Sequence, residues 1–194
     1  MVSALKYRFV SFEKYLANER EVSLRSEYVN GLVYAMAGAS RTHNSISMSF
    51  AALIDNNLKD GCQVWQSDMK VAILNKGQRF GYYPDIMVAC EDDADKYLCT
   101  HPILIVEVLS DSTERIDLKE KFDNYVSIPS LLEYVVVSQN VPLVRVFRRR
   151  TAWDMETYNA DAKFRLDSIG LDVPVQCIYR RVRKEVGLNY RTGL

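Results

Sequence analysis

The chain has no apolar stretch near the roughly 20 residues that a membrane-spanning helix requires. Charge recurs through its first thirty residues, where a secretion signal would need an apolar block. Net charge is absent, because 25 basic residues are matched by 25 acidic ones; nothing global advertises a polyanion partner. Cysteine is scarce. Cys62, Cys90, Cys99 and Cys177 have neither CxxC spacing nor histidines at zinc-site intervals, which argues against a structural zinc and against a disulfide framework at this size. The expectation is four buried thiols in a reducing compartment and a soluble, cytoplasmic protein. Internal repeats, low-complexity tracts and Gly/Ser linkers are also missing. A length of 194 residues with 48% hydrophobic content suits a single core, hence one domain over residues 1–194.

What is present is a succession of short periodic segments. Ser11 heads SFEKYLANERE, where Phe12, Tyr15 and Leu16 recur at helical spacing behind a Ser N-cap. Asn30-Gly31 separates two strand-like segments of SEYVNGLVYAMAG, a hairpin signal because both turn positions need positive φ. Thr42 to Lys59 reads as a helix with Ile46, Phe50, Leu53, Ile54 and Leu58 on one face and Gly61 as terminator. Strands follow at CQVWQ, MKVAIL, DIMVAC and ILIVEVL, separated by the polar segments NKGQRFGYY and EDDADKYLCTHP. A helix is expected from Ser112 to Val126, through Ile116, Leu118, Phe122 and Tyr125. LLEYVVVS and PLVRVFRRR add two strands, and a shorter β-like tail runs through Trp153, Tyr158 and Phe164. This order predicts an α/β class of the α+β kind, a mixed sheet flanked by helices, rather than an alternating parallel wind.

Glu107 breaks that pattern. It interrupts the apolar run Ile103-Leu104-Ile105-Val106-Glu107-Val108-Leu109, 22 residues after Asp85 in the Pro84-Asp85 pair. A carboxylate inside a buried strand costs roughly several kcal/mol unless a cation or strong hydrogen bonds face it. Strand alternation puts Ile103, Ile105, Glu107 and Leu109 on one face, and adjacent strands would bring Asp85 and Glu107 together. Paired carboxylates suit Mg²⁺ or Mn²⁺, hard cations that keep waters and bind phosphate oxygens.

Three segments, YYPDIMVAC (Tyr82 to Cys90), ILIVEVLSDSTERIDLKEKFDNY (Ile103 to Tyr125) and IPSLLEYVVVSQ (Ile128 to Gln139), resemble the Uma-two family of restriction-endonuclease-like proteins. The likeness extends upstream through SEYVNGLVYAMAGAS and His43 and downstream through VRVFRRRTAW, so it covers most of the chain. The resemblance implies the PD-(D/E)XK nuclease fold, a central mixed sheet flanked by helices, here with an N-terminal β-hairpin. It also implies a metal-dependent nuclease. Asp85 matches the aspartate of the PD element and Glu107 the acid of the (D/E)XK element, both as metal ligands. Leu109 stands where the motif lysine belongs. Lys121-Phe122-Asp123-Asn124-Tyr125 is similar to the QhxxY-like element of related nucleases, so Lys121 is the candidate replacement. Tyr125, four residues on, shares its side of the helix, and Lys119 points elsewhere. A solvated Lys121 and a core Tyr125 are the plainer alternative.

Other residues carry two readings each. His43 is a further metal ligand or a capping or exposed histidine. Glu27 is an upstream acidic ligand, or a hairpin carboxylate paired with Arg25 or a lysine across the sheet. Asp68 is a ligand or a turn residue, and Lys70 a second candidate for the missing cation. Ser110, Ser112 and Thr113 cap the next helix or donate to ligand or phosphate. Asp117 forms an i,i+4 ion pair with Lys121 or positions it. Residues 145–194 hold 11 basic side chains against 6 acidic, so Arg145, Arg148, Arg149 and Arg150, and later Arg180, Arg181, Arg183 and Lys184, are the clusters able to follow a phosphate backbone. Arg148, Arg149 and Arg150 are taken as the candidate contact.

With the resemblance, these residues support a Mg²⁺-dependent (or Mn²⁺-dependent) DNA endonuclease with Asp85, Glu107 and Lys121 as its catalytic set, and the resemblance also implies a homodimer, since nucleases of this fold commonly pair. A nuclease fold that binds nucleic acid without cleaving it, and a dimeric scaffold, are the alternatives that Leu109 keeps open.

Overall fold

The structure, a computed structural model, describes residues 9–36, 38–110 and 117–188, without the side chain of Asp117. Ile116, Ser112 and Thr113, with the start of the expected helix at 112, lie outside the described residues. Helix α1 (Phe12–Glu19) begins at Ser11, whose side chain accepts the N–H of Lys14 as the sequence predicts. Strands β1 (Ser26–Val29) and β2 (Leu32–Ala35) form the expected hairpin. Asn30 and Gly31 both have positive φ, 42° and 99°. A Cβ on Gly31 would meet the exposed Phe9 ring, which could swing aside, so it is the positive φ that favours glycine there.

Helix α2 (Arg41–Asp55) starts at Ser40, which accepts the N–H of His43. It stops four residues short of the expected Lys59. Asn56 and Asn57 turn their side chains back onto the carbonyls of Ala52 and Leu53, offering the backbone an exit before Gly61 is reached. Its core stripe is Ile46, Phe50 and Ile54, fully buried.

Strands β3 (Gln63–Gln66), β4 (Lys70–Asn75), β6 (Ile86–Ala89) and β8 (Leu104–Leu109) coincide with the expected runs. The segment expected to be a polar connection, NKGQRFGYY, instead holds a Lys76-Gly77 turn and strand β5 (Gln78–Tyr82). Its alternation is masked by Gly81 and by aromatics buried on both sides. The second connection contributes the two-residue β7 (Leu98–Cys99). A π-helical turn, Asp117–Lys121, runs into α3 (Phe122–Tyr125). Then come β9 (Glu133–Ser138), β10 (Leu143–Arg148), β11 (Met155–Asn159), the hairpin β12 (Lys163–Leu166) with β13 (Leu171–Pro174), and α4 (Val175–Ile178).

The main sheet has the order β11-β10-β9-β8-β6-β3, in which β8 pairs parallel to β9 and antiparallel to β6. A second sheet, β2-β1-β5-β4-β7, closes over one face of it. Alternation on β8 divides the core in two. Leu104, Val106 and Val108 pack with α2 and α4, while Ile105 and Leu109 pack with β4, β5 and Tyr125. Ile103, expected on the second face, precedes the strand and packs on the first. Burial of both faces explains the continuous apolar run of β8, and it leaves Glu107 facing the space between the sheets.

The thiol expectation needs correction. Cys62 and Cys90 extend the β3/β6 pairing by one step beyond Gln63 and Ala89, and their sulfurs are joined in a disulfide. Cys99 is a buried thiol, as expected, but Cys177 is exposed.

Candidate active site

Register brings the two acids together. Ile86 lies opposite Val106 on antiparallel strands, so the next step outward sets Asp85 beside Glu107. Asp85 has the parity of Met87 and Ala89, and Glu107 that of Ile105 and Leu109; all four apolar residues belong to one cluster. The acids therefore share a face. Asp85 accepts the N–H of Val108 at 2.7 Å through Oδ2, and its own N–H lies 3.4 Å from Glu107 Oε2. His43 Nε2 is 3.1 Å from the same Asp85 oxygen. Ser47, one turn further along α2, takes a hydrogen bond from Gln66 and reaches the Asp85 carbonyl. His43 thus positions Asp85 from across the strand ends.

Glu107 is 4% exposed, and its surroundings answer the cost of burying a carboxylate. Lys121 Nζ lies 3.3 Å from Oε1, and the Tyr125 hydroxyl donates to the same oxygen at 2.8 Å. Burial, reinforced by the negative charge of Glu107, pushes the Tyr125 phenol well above its ordinary value, so it remains a neutral donor. Lys121 also pairs with Glu27 Oε1 at 2.9 Å, and its ammonium stands 5.5 Å from the centre of the Tyr82 ring. Glu27 accepts the N–H of Tyr83. The π-helical turn ends at Lys121, re-aiming the side chain where a regular helix would carry a different residue.

Asp85, Glu107, Lys121, Tyr125, Glu27 and His43 thus converge. Leu109, at the motif-lysine position, is buried in the core. Side chains of Asp85 and Glu27 retain 17% and 18% exposure, so the cluster reaches solvent through them.

Other candidates fall elsewhere. Asp68 is an exposed turn residue paired with Arg25, and that arginine is consequently not the partner of Glu27. Lys70 is buried, but against the rings of Tyr15 and Tyr83 rather than the two acids; burial pushes its amine down to about 8. Ser110 directly follows β8, whereas Asp117 opens the π-helical turn with its side chain outside the described residues.

Arg148, Arg149 and Arg150 do not form a phosphate-binding row. Strand β10 ends at Arg148, which is buried and ion-paired with Glu133, Glu156 and Asp167. Arg149 donates to the carbonyls of Leu131 and Ile128 and lies over Trp153, and Arg150 pairs with Asp167. Arg148 is neutralised inside the fold, and the exposed Arg149 and Arg150 are tied to backbone carbonyls and to Asp167.

Two residues that sequence reasoning did not single out complete the site. Asn124 donates to the Tyr82 hydroxyl at 2.9 Å, locking the ring against which Lys121 rests. Their signal was present as the YYPD and KFDNY segments, but only the fold shows that they meet.

The class follows from this geometry: paired acids from adjacent antiparallel strands, with a lysine alongside, on the mixed sheet of a restriction-endonuclease-like fold. Residues 12–176 match the family Uma2, described as "Putative restriction endonuclease". The chain belongs to that family. It is 36% identical over 176 residues to the uncharacterized protein slr1290 of Synechocystis sp., covering 88% of this chain and 92% of that one. A second Synechocystis protein, the uncharacterized sll1609, is 33% identical over 137 residues, 68% of this chain and 76% of its own length. A crystal structure from Anabaena variabilis, described as "a putative nuclease belonging to DUF820", superposes with a TM-score of 0.69 at 14% identity, over 88% of this chain and 98% of that one. At that identity the superposition speaks to fold, and the fold agrees.

Proposed function

We propose that the chain is a divalent-metal-dependent DNA endonuclease in which Lys121 takes the part of the motif lysine. The observation that carries this reading is the position of Lys121 Nζ, 3.3 Å from Glu107 and 2.9 Å from Glu27, although the residue lies 14 positions after Glu107 in the chain.

The donor set fits Mg²⁺ or Mn²⁺. Among the described residues there is no group of three or more His, Cys, Asp and Glu side chains arranged as a complete metal cage, and Mg²⁺ needs none, since it binds through one or two carboxylates with waters and substrate phosphate. Asp85 and Glu107 would hold it. Bound there, the ion would polarise the phosphodiester and lower the pKa of an attacking water. The chain's own residues do the rest. Val108 N–H and His43 fix the Asp85 carboxylate, and Tyr125 fixes Glu107. Lys121 presents a positive charge beside the acids, able to orient a water and to offset charge developing on the phosphate.

A second reading has its own support. Glu107 is nearly sealed and already neutralised by Lys121, which suits a binding module or a dimeric scaffold that has left chemistry behind. Incubating supercoiled and linear DNA with the protein in Mg²⁺, Mn²⁺ or chelator separates the two. Metal-dependent cleavage that is lost in Glu107→Ala and Lys121→Ala is expected; DNA retention without cleavage in any metal refutes the enzyme.

A further inference from the structure

We infer that the surface carrying the nucleic acid is the groove between α2 and the turn after α4, with Arg41, Arg180 and Arg181 tracking the sugar-phosphate backbone of a DNA duplex past the N-terminal end of α2, the end that carries His43. This inference rests on the nuclease reading for its substrate, but its geometry is independent of catalysis.

Helix α2 presents two separate faces. His43 and Ser47, four residues apart, face Asp85. On the outward side Arg41, Asn44, Ser45, Met48 and Ala52 follow i, i+3, i+4, i+7 and i+11 spacing and form a second stripe. From Asn44 to Ala52 this stripe borders a groove of about 310 Å³ whose opposite wall is Arg180 and Arg181. The near end of the groove, at Asn44, lies in the same N-terminal turn of α2 as His43 but on the other side of the helix, and the groove runs roughly 12 Å along α2 at 1.5 Å per residue.

The wall is fixed in place. Helix α4 packs on α2, and Tyr179, fully buried, ties its hydroxyl to the carbonyls of Ser138 and Leu143. The two arginines that follow are therefore held over α2 while remaining exposed.

Charge separates this groove from the alternatives. The bases of residues 148–150 are consumed by Glu133, Glu156, Asp167 and backbone carbonyls. A groove of about 470 Å³ near β1, β5 and α3 is lined by Glu120 and Asp123, which would repel phosphate. No ion pair among the described residues engages Arg41, Arg180 or Arg181, and Asn44 and Ser45 line the groove together with Arg180 and Arg181. Unneutralised guanidinium groups flanking small polar side chains match phosphate oxygens. Asp55 closes the far end of the stripe, away from His43.

Binding of a fluorescently labelled random-sequence duplex, followed by anisotropy in chelator and in Ca²⁺ across a salt series, tests the assignment. Arg180→Ala/Arg181→Ala should weaken binding roughly 10-fold or more at 0.1 M salt and reduce the salt slope by about 2; the charge-reversed pair should weaken it further. Arg150→Ala should bind as wild type does. All variants should keep the wild-type melting temperature, since these side chains are exposed. Unchanged binding by both Arg180/Arg181 variants, equal loss in Arg150→Ala, a preference for an RNA duplex of the same length, or no binding by the wild type each overturns the inference. Parallel cleavage assays in Mg²⁺ and Mn²⁺ keep the two proposals distinct. Binding through the groove without cleavage sinks the nuclease and leaves the surface standing; cleavage indifferent to Arg180 and Arg181 does the reverse.

Discussion

Replacing Lys121 by methionine removes the cation that makes Glu107 tolerable while keeping most of the side-chain volume. The ammonium lies 3.3 Å from Glu107 and 2.9 Å from Glu27. At an effective dielectric near 20, each contact is worth about 5 to 6 kcal/mol of gross attraction. Desolvation of the charged groups cancels much of it, and breaking a buried pair from one side typically costs about 3 to 5 kcal/mol. Glu107 keeps the Tyr125 hydroxyl, which places the expected loss at the lower end, about 3 kcal/mol. For a domain of this size that corresponds to a fall in melting temperature of roughly 6 to 12 °C. Glu107→Gln should cost less, because Lys121 retains Glu27, and the double variant should recover part of the loss. Urea unfolding of the four proteins gives the cycle, with an expected coupling of about 2 kcal/mol. Adding Mg²⁺ should raise the melting temperature of Lys121→Met more than that of the wild type, since the ion replaces the missing charge. A Lys121→Met protein within about 0.5 kcal/mol of wild type, or an additive cycle, would refute the view that Lys121 is what makes the buried Glu107 carboxylate tolerable.

Three further outcomes are expected. Arg148→Ala strands the buried Glu133 and should lower unfolding stability by about 3 to 5 kcal/mol, measured by urea titration; a loss under about 1 kcal/mol would contradict its role in the ion-pair network. Burial holds Lys70 at about 8, below its unfolded value, so the unfolded chain binds the extra proton above that pH and stability should rise from about pH 8 toward about pH 9. Above that the buried Cys99, pushed up to about 11, and the buried Tyr15, Tyr82 and Tyr83, all raised by burial, act in the opposite sense; subtracting the Lys70→Met profile isolates a rise on the order of 2 kcal/mol, and a flat difference would refute it. Reduction should expose four thiols in the denatured chain where the unreduced protein shows two. Linking Cys62 to Cys90 across 28 residues should also make the unreduced protein more stable by roughly 3 kcal/mol, read from paired melts.

How much of this was legible depends on the range of the signal. Ser11 and Asn30-Gly31 act within a few residues, so the first cap and the hairpin declare themselves locally, whereas Ser40, the cap of α2, is passed over by a reading that starts that helix at Thr42. The apolar run of β8 with one carboxylate in it marks a buried strand and a site at once, because burying a charge demands a reason. Strand β5 escaped notice because it lies with both faces partly covered and a glycine in its alternation. The early end of α2 escaped because Asn56 and Asn57 compete for backbone groups only a turn before the glycine that looked like the stop.

The sequence by itself determined the secondary elements with strong local chemistry, the pairing of Asp85 with Glu107 as candidate ligands, and, through its resemblance, the family and fold. Tertiary structure alone decided which cations face what. Arg148, Arg149 and Arg150 look like a basic patch in the chain, but in the fold Arg148 becomes an internal counter-ion while Arg149 and Arg150 stay exposed and are tied to backbone carbonyls and to Asp167, whereas Lys121 looks like a solvated helix charge and becomes the partner of two acids. The physical reason is that a charge's role depends on its neighbours within a few ångströms and on the water it has lost, and neither is encoded by position along the chain.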